Sequence, residues 1–239
     1  MDKMKKLLAA LLFAPALALA AGAAIHLDKA PNVQGDNAAL QSGARTFVNY
    51  CLNCHGASFA RYSRLTELGL TEQQVRDNLM FTAEKIGETM RVAARPEEQK
   101  RWFGAAPPDL TLIARARSSA DGSGADWLYT YLRSFYVDEK RPTGWNNVVF
   151  ENVGMPHVLG QLQGVQVLNK DHKLELLAPG SLSAADYDKL IGDLVGFMVW
   201  LAEPHAGFRK NLGFGVLAFL VVFFGFAYAL KKAYWKDVK

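Results

Sequence analysis

The longest uninterrupted apolar stretch of the chain lies near its C-terminus. It runs from Leu212 to Leu230, reads LGFGVLAFLVVFFGFAYAL, and contains no charged residue. As an α-helix, this stretch extends about 28 Å, which matches the hydrocarbon thickness of a bilayer. We therefore predict one membrane-spanning helix here. The alternative for such a run is a buried core helix.

A shorter apolar run occupies the N-terminus. Three lysines fall among the first six residues, and the run Leu7–Ala21 that follows carries no charge. A basic start, a short apolar run and the small-residue pattern Ala18-Leu19-Ala20 are typical of a secretory signal. We predict cleavage after Ala20, so that residues 1–20 form a signal peptide. An uncleaved anchor is the alternative, but the run is shorter than the ~20 residues that a span needs.

The charges around the C-terminal run predict its orientation. Arg209 and Lys210 precede it, whereas four cations follow it: Lys231, Lys232, Lys236 and Lys239. Such an excess favours a C-terminus on the cytoplasmic side. The predicted organisation is a signal peptide (1–20), a periplasmic domain (21–208), an anchor helix (209–231) and a cytoplasmic tail (232–239), in a bacterial inner membrane.

Two segments of the predicted exported domain have helical periodicity. In the first, apolar residues recur three or four positions apart, at Leu40, Ala44, Phe47, Val48 and Cys51. The second runs from about Ser183 to Ala202, between a candidate N-cap at Ser183 and a stop at Pro204. Its apolar stripe consists of Leu190, Leu194, Phe197, Met198 and Leu201. In contrast, residues 165–168 and 173–177 alternate around the turn 169–172 and predict a β-hairpin. The pattern indicates a mainly α domain with a small β-hairpin.

The net charge is unevenly distributed along the chain. The whole chain is +4, from 27 Lys and Arg against 23 Asp and Glu. Nine of these cations and two of the acids lie in residues 1–20 and 209–239, so the segment between them has a net charge of −3. A mildly acidic exported domain excludes a nucleic-acid partner.

Both cysteines of the chain fall in one motif, CLNCH at 51–55. A disulfide, a thioredoxin-like pair and half of a zinc site are the alternatives, but neither a βαβ context nor a second Cys-x-x-Cys is present. C-x-x-C followed by His is the attachment motif of c-type haem, whose two vinyl groups react with the two thiols. The adjacent imidazole can then bind the iron. We predict one haem c, covalently held by Cys51 and Cys54, with His55 as an axial ligand.

Met155 and His157 are the candidates for the second axial ligand. Met155 lies in NVGMP (152–156), where Gly154 permits close backbone approach and Pro156 stiffens the chain. The methionines in helix-like segments, for which core packing is expected, are Met80, Met90 and Met198. The histidines in polar surroundings, expected to be solvated, are His26, His172 and His205. From these residues alone the choice between Met155 and His157 stays open.

Several motifs occur in an order that resembles a known family. They are CLNCH (51–55), GAAPPDLTLIARAR (104–117), DWLYTYLRSFY (126–136), RPTG (141–144), NVGMP (152–156) and WLAEP (200–204), followed by basic residues and the anchor. Together they resemble cytochrome c1, the haem c subunit of the cytochrome bc1 complex, particularly its bacterial forms. The resemblance covers nearly the whole mature chain and implies a cytochrome c-like haem domain with surface insertions. CxxCH alone marks any c-type cytochrome, whereas APPDL combined with AEP and the anchor is much more specific.

The resemblance also implies roles for individual residues. It assigns Met155 as the iron ligand that accompanies His55. Four further residues are implied to lie around the haem, Arg117 and Trp127 near its propionates and Pro107 and Pro108 along its edge. The family more often has Tyr at the position of Trp127, so the indole N–H would have to serve as the donor there. The segment 157–182 is expected to be a surface elaboration.

The function implied by the resemblance is electron transfer in ubiquinol–cytochrome c oxidoreductase. One electron would come from the Rieske iron–sulfur protein and leave through haem c to a soluble or membrane-bound cytochrome c. The implied partners are cytochrome b, the Rieske subunit, a cytochrome c and the lipid bilayer, within a dimeric complex. The chain shows no nucleophile, phosphate loop or carboxylate pair that indicates chemistry of its own.

Four other classes of protein remain as alternatives. A membrane-anchored shuttle would work without a cytochrome b, and a haem c subunit of a terminal oxidase would lack the APPDL stretch. A haem-based gas sensor needs an open axial position on the iron. An exported structural protein would contain no haem.

Overall fold

The computed structural model of the protein describes residues 26–237. The predicted signal peptide lies outside the described residues. About half of the described chain is helical, and its strands form three two-stranded antiparallel sheets. The prediction of a mainly α fold with small hairpins is confirmed.

The helices and strands alternate irregularly along the chain. The α-helices, in chain order, are α1 (Asn37–Thr46), α2 (Glu72–Asn78), α3 (Pro96–Phe103), α4 (Ile113–Ala116), α5 (Gly124–Arg133), α6 (Gly160–Gln163), α7 (Ala184–Ala202) and α8 (Ala206–Tyr234). The strands are β1 (Ala57–Arg61), β2 (Thr89–Met90), β3 (Phe135–Val137), β4 (Trp145–Asn147), β5 (Gly164–Leu168) and β6 (Leu174–Pro179). A π-helical turn (Phe47–Cys51) follows α1, and a 3₁₀-helix (Tyr62–Leu68) follows β1.

The described residues form two compact units. The first unit consists of residues 26–30 and Ala116–Ala184. The second unit consists of Pro31–Arg115 and residues 185–237. CLNCH and the anchor helix belong to the second unit, and NVGMP belongs to the first.

In the second unit, α1 and α7 pack together at Gly43. A Cβ built there would lie only 2.1 Å from the carbonyl oxygen of Asp193, so only glycine permits this approach. Beside this crossing, the rings of Phe47 and Phe197 are 5.6 Å apart. Helix α7 was predicted from about Ser183 and is found from Ala184, with Leu194 fully buried on its core face.

In the first unit, residues 28–30 lie along α5. The backbone N–H of Asp28 donates to Thr130 Oγ1 (2.8 Å), and that of Ala30 donates to Asp126 Oδ1 (2.9 Å). Lys29 Nζ lies 2.9 Å from Asp126 Oδ2. The Asp126 side chain is 8% exposed and also caps the helix with Ser123. These contacts fix the helix that carries Trp127 and Tyr131.

The predicted hairpin is confirmed as β5–β6, in which Leu168 pairs with Leu174. Two further hairpins were not predicted. In β1–β2, Ala57 pairs with Met90, and in β3–β4, Phe135 pairs with Asn147. The helix-like assignment of the Met90 segment was therefore wrong, although Met90 is fully buried as expected of a core residue.

Helix α8 contains the whole apolar run predicted to span the membrane. Among the described residues it is the one helix long and apolar enough to do so, and none of its residues is buried. Its start is tied to the preceding residues, because Glu203 pairs with Arg209 and lies 3.2 Å from Arg115 Nη1.

Candidate haem-binding site

The CLNCH motif begins at the last residue of the π-helical turn. The backbone N–H groups of Cys54 and His55 both donate to the carbonyl oxygen of Cys51, at 3.1 and 2.8 Å. This turn contains both cysteines, and no disulfide joins them. Burial, and to a smaller degree the neighbouring Cys54, raises the pKa of the Cys51 thiol to about 12. Before haem is attached, the Cys51 side chain is therefore a neutral thiol at neutral pH.

His55 is held in one tautomer. Its Nδ1 lies 2.7 Å from the carbonyl oxygen of Pro108, which can only accept, so Nδ1 carries the proton. The Nε2 lone pair is then available for a metal, as in other metal-ligating histidines oriented by a carbonyl. Partial burial lowers the pKa of His55, against the opposing effects of the Pro108 carbonyl and Asp109. A neutral imidazole with an unprotonated Nε2 fits a haem iron ligand.

Asp109 holds the Pro-Pro-Asp-Leu segment against the residues that follow the cysteines. Its Oδ2 accepts from the backbone N–H of Ser58 (2.7 Å) and its Oδ1 from that of Thr111 (2.8 Å). These hydrogen bonds outweigh partial burial, which alone would raise the pKa of Asp109, and hold that pKa below its usual range. Gln99 Nε2 adds a bond to the carbonyl oxygen of Cys54 (2.8 Å). The position of the Pro108 carbonyl is thus determined by neighbouring side chains.

Met155 lies in the first unit, half-buried at the end of a turn centred on Asn152. Asn152 has a left-handed backbone (φ 62°), and its N–H donates to Asn146 Oδ1 at 2.8 Å. The Met155 sulfur accepts a hydrogen bond from the hydroxyl of Tyr131, with Oη and Sδ 3.4 Å apart. Burial, partly opposed by Arg117, raises the pKa of Tyr131 well above its ordinary value, so the phenol is a neutral donor.

Arg117 and Trp127, both predicted near the propionates, are in contact with each other. The guanidinium carbon of Arg117 lies 4.5 Å from the centre of the Trp127 ring and 5.5 Å from that of Phe150. On α5, the ring of Trp127 stacks on that of Tyr131, at 4.8 Å and 13°. A continuous series of side-chain contacts therefore runs from Arg117 through Trp127 and Tyr131 to Met155.

His157, the alternative candidate for the second axial ligand, is packed among aromatic rings. Its ring is parallel to that of Phe135 at 4.8 Å, and that of Trp145 meets it edge-on at 5.0 Å. Burial lowers the pKa of His157 to about 4, against a smaller opposing effect of Gln163. The methionines for which core packing was expected include Met90 and Met198, and both are buried. The three histidines expected in solvent, His26, His172 and His205, are exposed.

Several residues that shape this site had no role assigned from the sequence. Asp109 and Gln99 position the backbone around His55, and Arg141 binds the Asn152 turn. Asp109 and Arg141 lie within the recognised motifs PPDL and RPTG, which is the signal that points to them. Tyr131 lies within the motif DWLYTYLRSFY, but nothing in that motif points to its partner Met155, which is 24 positions away.

Two cysteines that form no disulfide, followed directly by a histidine whose Nε2 is available, are the donor set for covalent attachment of haem c. Combined with the unburied apolar helix α8, they define the class as a membrane-anchored c-type cytochrome. The chain matches the pattern of the Cytochrome C1 family over residues 28–238 and belongs to that family.

Relatives of the chain are aligned over nearly its whole length. It is 44% identical to the cytochrome c1 of Allochromatium vinosum, over 98% of this chain and 100% of that protein. Identity to the cytochrome c1 of Rhodospirillum rubrum is 28%, over 85% of this chain and 83% of that protein. A protein of Nitrosomonas europaea named ammonia monooxygenase gamma subunit is 48% identical over the full length of both chains.

Family membership confirms the central predictions made from the motifs. The chain is the electron-transfer haem c subunit of a cytochrome bc1 complex, which also contains cytochrome b and a Rieske protein. It carries one covalent haem c through Cys51 and Cys54. It is anchored in the membrane, with α8 as the apolar helix suited to that role.

Proposed function

We propose that the chain takes one electron from the Rieske iron–sulfur protein and passes it to a soluble or membrane-bound cytochrome c. The observation that carries the proposal is the His55–Pro108 hydrogen bond, which leaves Nε2 of the residue beside the thiol pair unprotonated. A haem c attached there supplies a one-electron Fe(III)/Fe(II) couple. Such a transfer requires no acid, base or nucleophile from the protein.

His55 and Met155 are the proposed axial ligands of the iron. A thioether is a soft ligand that favours ferrous iron, so His/Met ligation raises the reduction potential. When side chains fill both axial positions, small molecules are kept from the iron. This is the coordination that an electron relay requires and that a gas sensor lacks.

Arg117 and Trp127 are the proposed partners of the haem propionates. The guanidinium carbon of Arg117 lies over the Trp127 ring, and its five N–H groups are donors suited to a carboxylate. The indole N–H of Trp127 is a second donor. Pro107 and Pro108 are proposed to border the haem edge as a rigid wall, because their rings fix the backbone there.

The haem domain is proposed to lie in the periplasm of a bacterial cell, with the C-terminus of the chain in the cytoplasm. Four cations after the apolar run against two before it support this orientation. The proposed boundaries are a signal peptide at 1–20, the haem domain at 21–208, the anchor at 209–231 and the tail at 232–239. Protease added to spheroplasts should digest the haem domain, and its full protection would contradict the orientation.

Replacement of Met155 tests the ligand assignment. In the purified complex, Met155→Leu should remove the methionine–iron charge-transfer band, lower the reduction potential and allow carbon monoxide to bind the reduced protein. Met90→Leu and Met198→Leu are matched controls, because both residues are buried methionines, and they should keep the band. His157→Phe should also keep it, since the new ring can stack on Phe135. Absence of the band from the unaltered protein, together with binding of carbon monoxide in His157→Phe but not in Met155→Leu, would identify His157 as the ligand.

Co-purification tests the proposed partners. An affinity-tagged chain, extracted from its own membranes in mild detergent, should bring cytochrome b and the Rieske protein with it, as part of a dimeric complex that reduces cytochrome c with quinol. Isolation of the haem protein alone would favour the stand-alone shuttle, and oxidase subunits would favour the terminal oxidase. Recovery with an ammonia monooxygenase would favour the role named for the relative in Nitrosomonas europaea.

A further inference from the structure

Tyr131 and Met155 are joined by a hydrogen bond that the sequence motifs did not predict. The phenol oxygen lies 3.4 Å from the sulfur, and the Tyr131 side chain is buried. We infer that Tyr131 is a positioning residue that fixes the Met155 thioether and raises the reduction potential of the iron it binds. The inference rests on the proposed role of Met155 as an axial ligand.

The Tyr131 ring is held in place independently of Met155. Trp127 stacks on one side of it at 4.8 Å, and Phe135 meets it edge-on at 5.1 Å. Its backbone is also fixed, because the carbonyl oxygen accepts a hydrogen bond from Asn147 Nδ2 at 2.8 Å. The hydroxyl is thus presented to the sulfur by a packed ring and a bonded backbone.

The Met155 side of the contact is also constrained. Asn147 Oδ1 accepts from the backbone N–H of Val149 (2.9 Å) and of Phe150 (3.1 Å), at the start of the segment that leads to Met155. The same Asn147 side chain therefore binds both the Tyr131 backbone and the Met155 segment. If either Tyr131 or the Met155 segment moved, the hydrogen bonds of Asn147 to the other would be strained.

The electronic effect follows from the two lone pairs of a thioether. One pair can bind iron while the other accepts the hydrogen bond, which fixes the orientation of the sulfur. Because the donor withdraws electron density from the sulfur, it weakens donation to the metal. Ferric iron depends on that donation more than ferrous iron, so the reduced state is favoured and the reduction potential rises.

Tyr131→Phe tests this inference, because it keeps the ring and removes only the hydroxyl. In the intact complex, the equilibrium constant for reduction of the haem should fall about three- to tenfold, which is about 28 to 59 mV for a one-electron couple. The methionine–iron charge-transfer band should remain but change its energy. Tyr62→Phe is the matched control, because it also removes a hydroxyl from a buried tyrosine, here one that is bonded to Thr82 Oγ1 at 2.9 Å. It should leave both readouts unchanged.

The outcomes separate this inference from the ligand assignment. If the wild-type protein has the band and Met155→Leu loses it, Met155 is the ligand. An unchanged potential and band in Tyr131→Phe would then overturn the role of Tyr131 alone. If Tyr131→Phe does not assemble, 3-fluorotyrosine at position 131 provides a stronger donor of the same shape and should raise the potential. No rise in that protein would equally overturn the inference.

Discussion

The Arg141 guanidinium binds both the side chain and the backbone carbonyl of Asn152. Nη1 of Arg141 donates to Asn152 Oδ1 at 3.0 Å, and Nη2 donates to the Asn152 carbonyl oxygen at 2.9 Å. Asn152 has a left-handed backbone that most residues avoid, and it lies three positions before Met155. The guanidinium therefore stabilises the turn from which the Met155 segment begins.

Arg141→Ala should loosen this turn. Loss of the two charge-assisted hydrogen bonds is expected to lower the free energy of unfolding by about 1–3 kcal/mol. A less constrained Met155 should also allow slow binding of carbon monoxide by the reduced protein. Denaturant titration and optical spectra measure the two effects. Arg101→Ala, at an exposed position of α3, should change neither. Unchanged behaviour of Arg141→Ala would show that the turn is held by other contacts.

Asp109→Asn should disturb the segment that orients His55. The amide provides one acceptor oxygen in place of two, so the backbone N–H of Ser58 or of Thr111 loses its partner. We expect a loss of about 1–2 kcal/mol in the free energy of unfolding, measured with denaturant. Asp77→Asn, an exposed carboxylate on α2, is the control and should be close to neutral. Equal stability of the two variants would contradict the role given to Asp109.

Asp126 should make the free energy of unfolding depend on pH in the acidic range. Although burial alone would raise its pKa, hydrogen bonds from Lys29, Ala30 and Ser123 lower it from 3.8 to about 2. Because the pKa is lower in the folded state, the stabilisation is complete above pH about 4 and is lost as the pH falls towards 2. The difference corresponds to about 2 kcal/mol.

The measurement is the free energy of unfolding against pH for the wild type and for Asp126→Asn. The difference between the two proteins should shrink between pH 4 and pH 2, because the wild-type carboxylate becomes protonated there. Asp121→Asn, an exposed carboxylate nearby in the chain, is the control and should follow the wild type. A difference that stays constant over this range would show that the charge of Asp126 is not the cause.

Gly43→Ala should separate α1 from α7. The added Cβ would meet the Asp193 carbonyl oxygen at 2.1 Å and Phe197 Cβ at 2.7 Å, so one helix must move. Forced overpacking of this kind costs about 1–3 kcal/mol or more, which a thermal or denaturant unfolding curve would show. Gly207→Ala is a matched change at a helical glycine with open space around it, and it should not destabilise the protein. Equal stability of the two variants would mean that α1 is free to shift.

The elements predicted correctly from the sequence are those whose pattern is local. Helix α7 has a long apolar stripe with a stop at Pro204, and the β5–β6 hairpin has alternation around a polar turn. The CLNCH motif likewise carries its chemistry within five positions. In each case the residues that determine the structure are close together in the chain.

The features that the sequence did not predict depend on distant partners. Strand β2 has only two residues, Thr89 and Met90, and exists because β1 pairs with it across the 3₁₀-helix and α2. The π-helical turn before the cysteines has the same apolar spacing as a regular helix, so periodicity cannot distinguish them. The contact of Tyr131 with Met155 requires the fold to join two segments that have no common pattern.

The connection between α7 and α8 consists of only three residues, Glu203 to His205. Even fully extended, it would reach about 10 Å, and the pairing of Glu203 with Arg115 and Arg209 holds it short. A connection this short leaves α7 little freedom to move relative to α8. Insertion of several flexible residues there would widen the range of positions that α7, and α1 packed on it at Gly43, can take relative to the anchor helix.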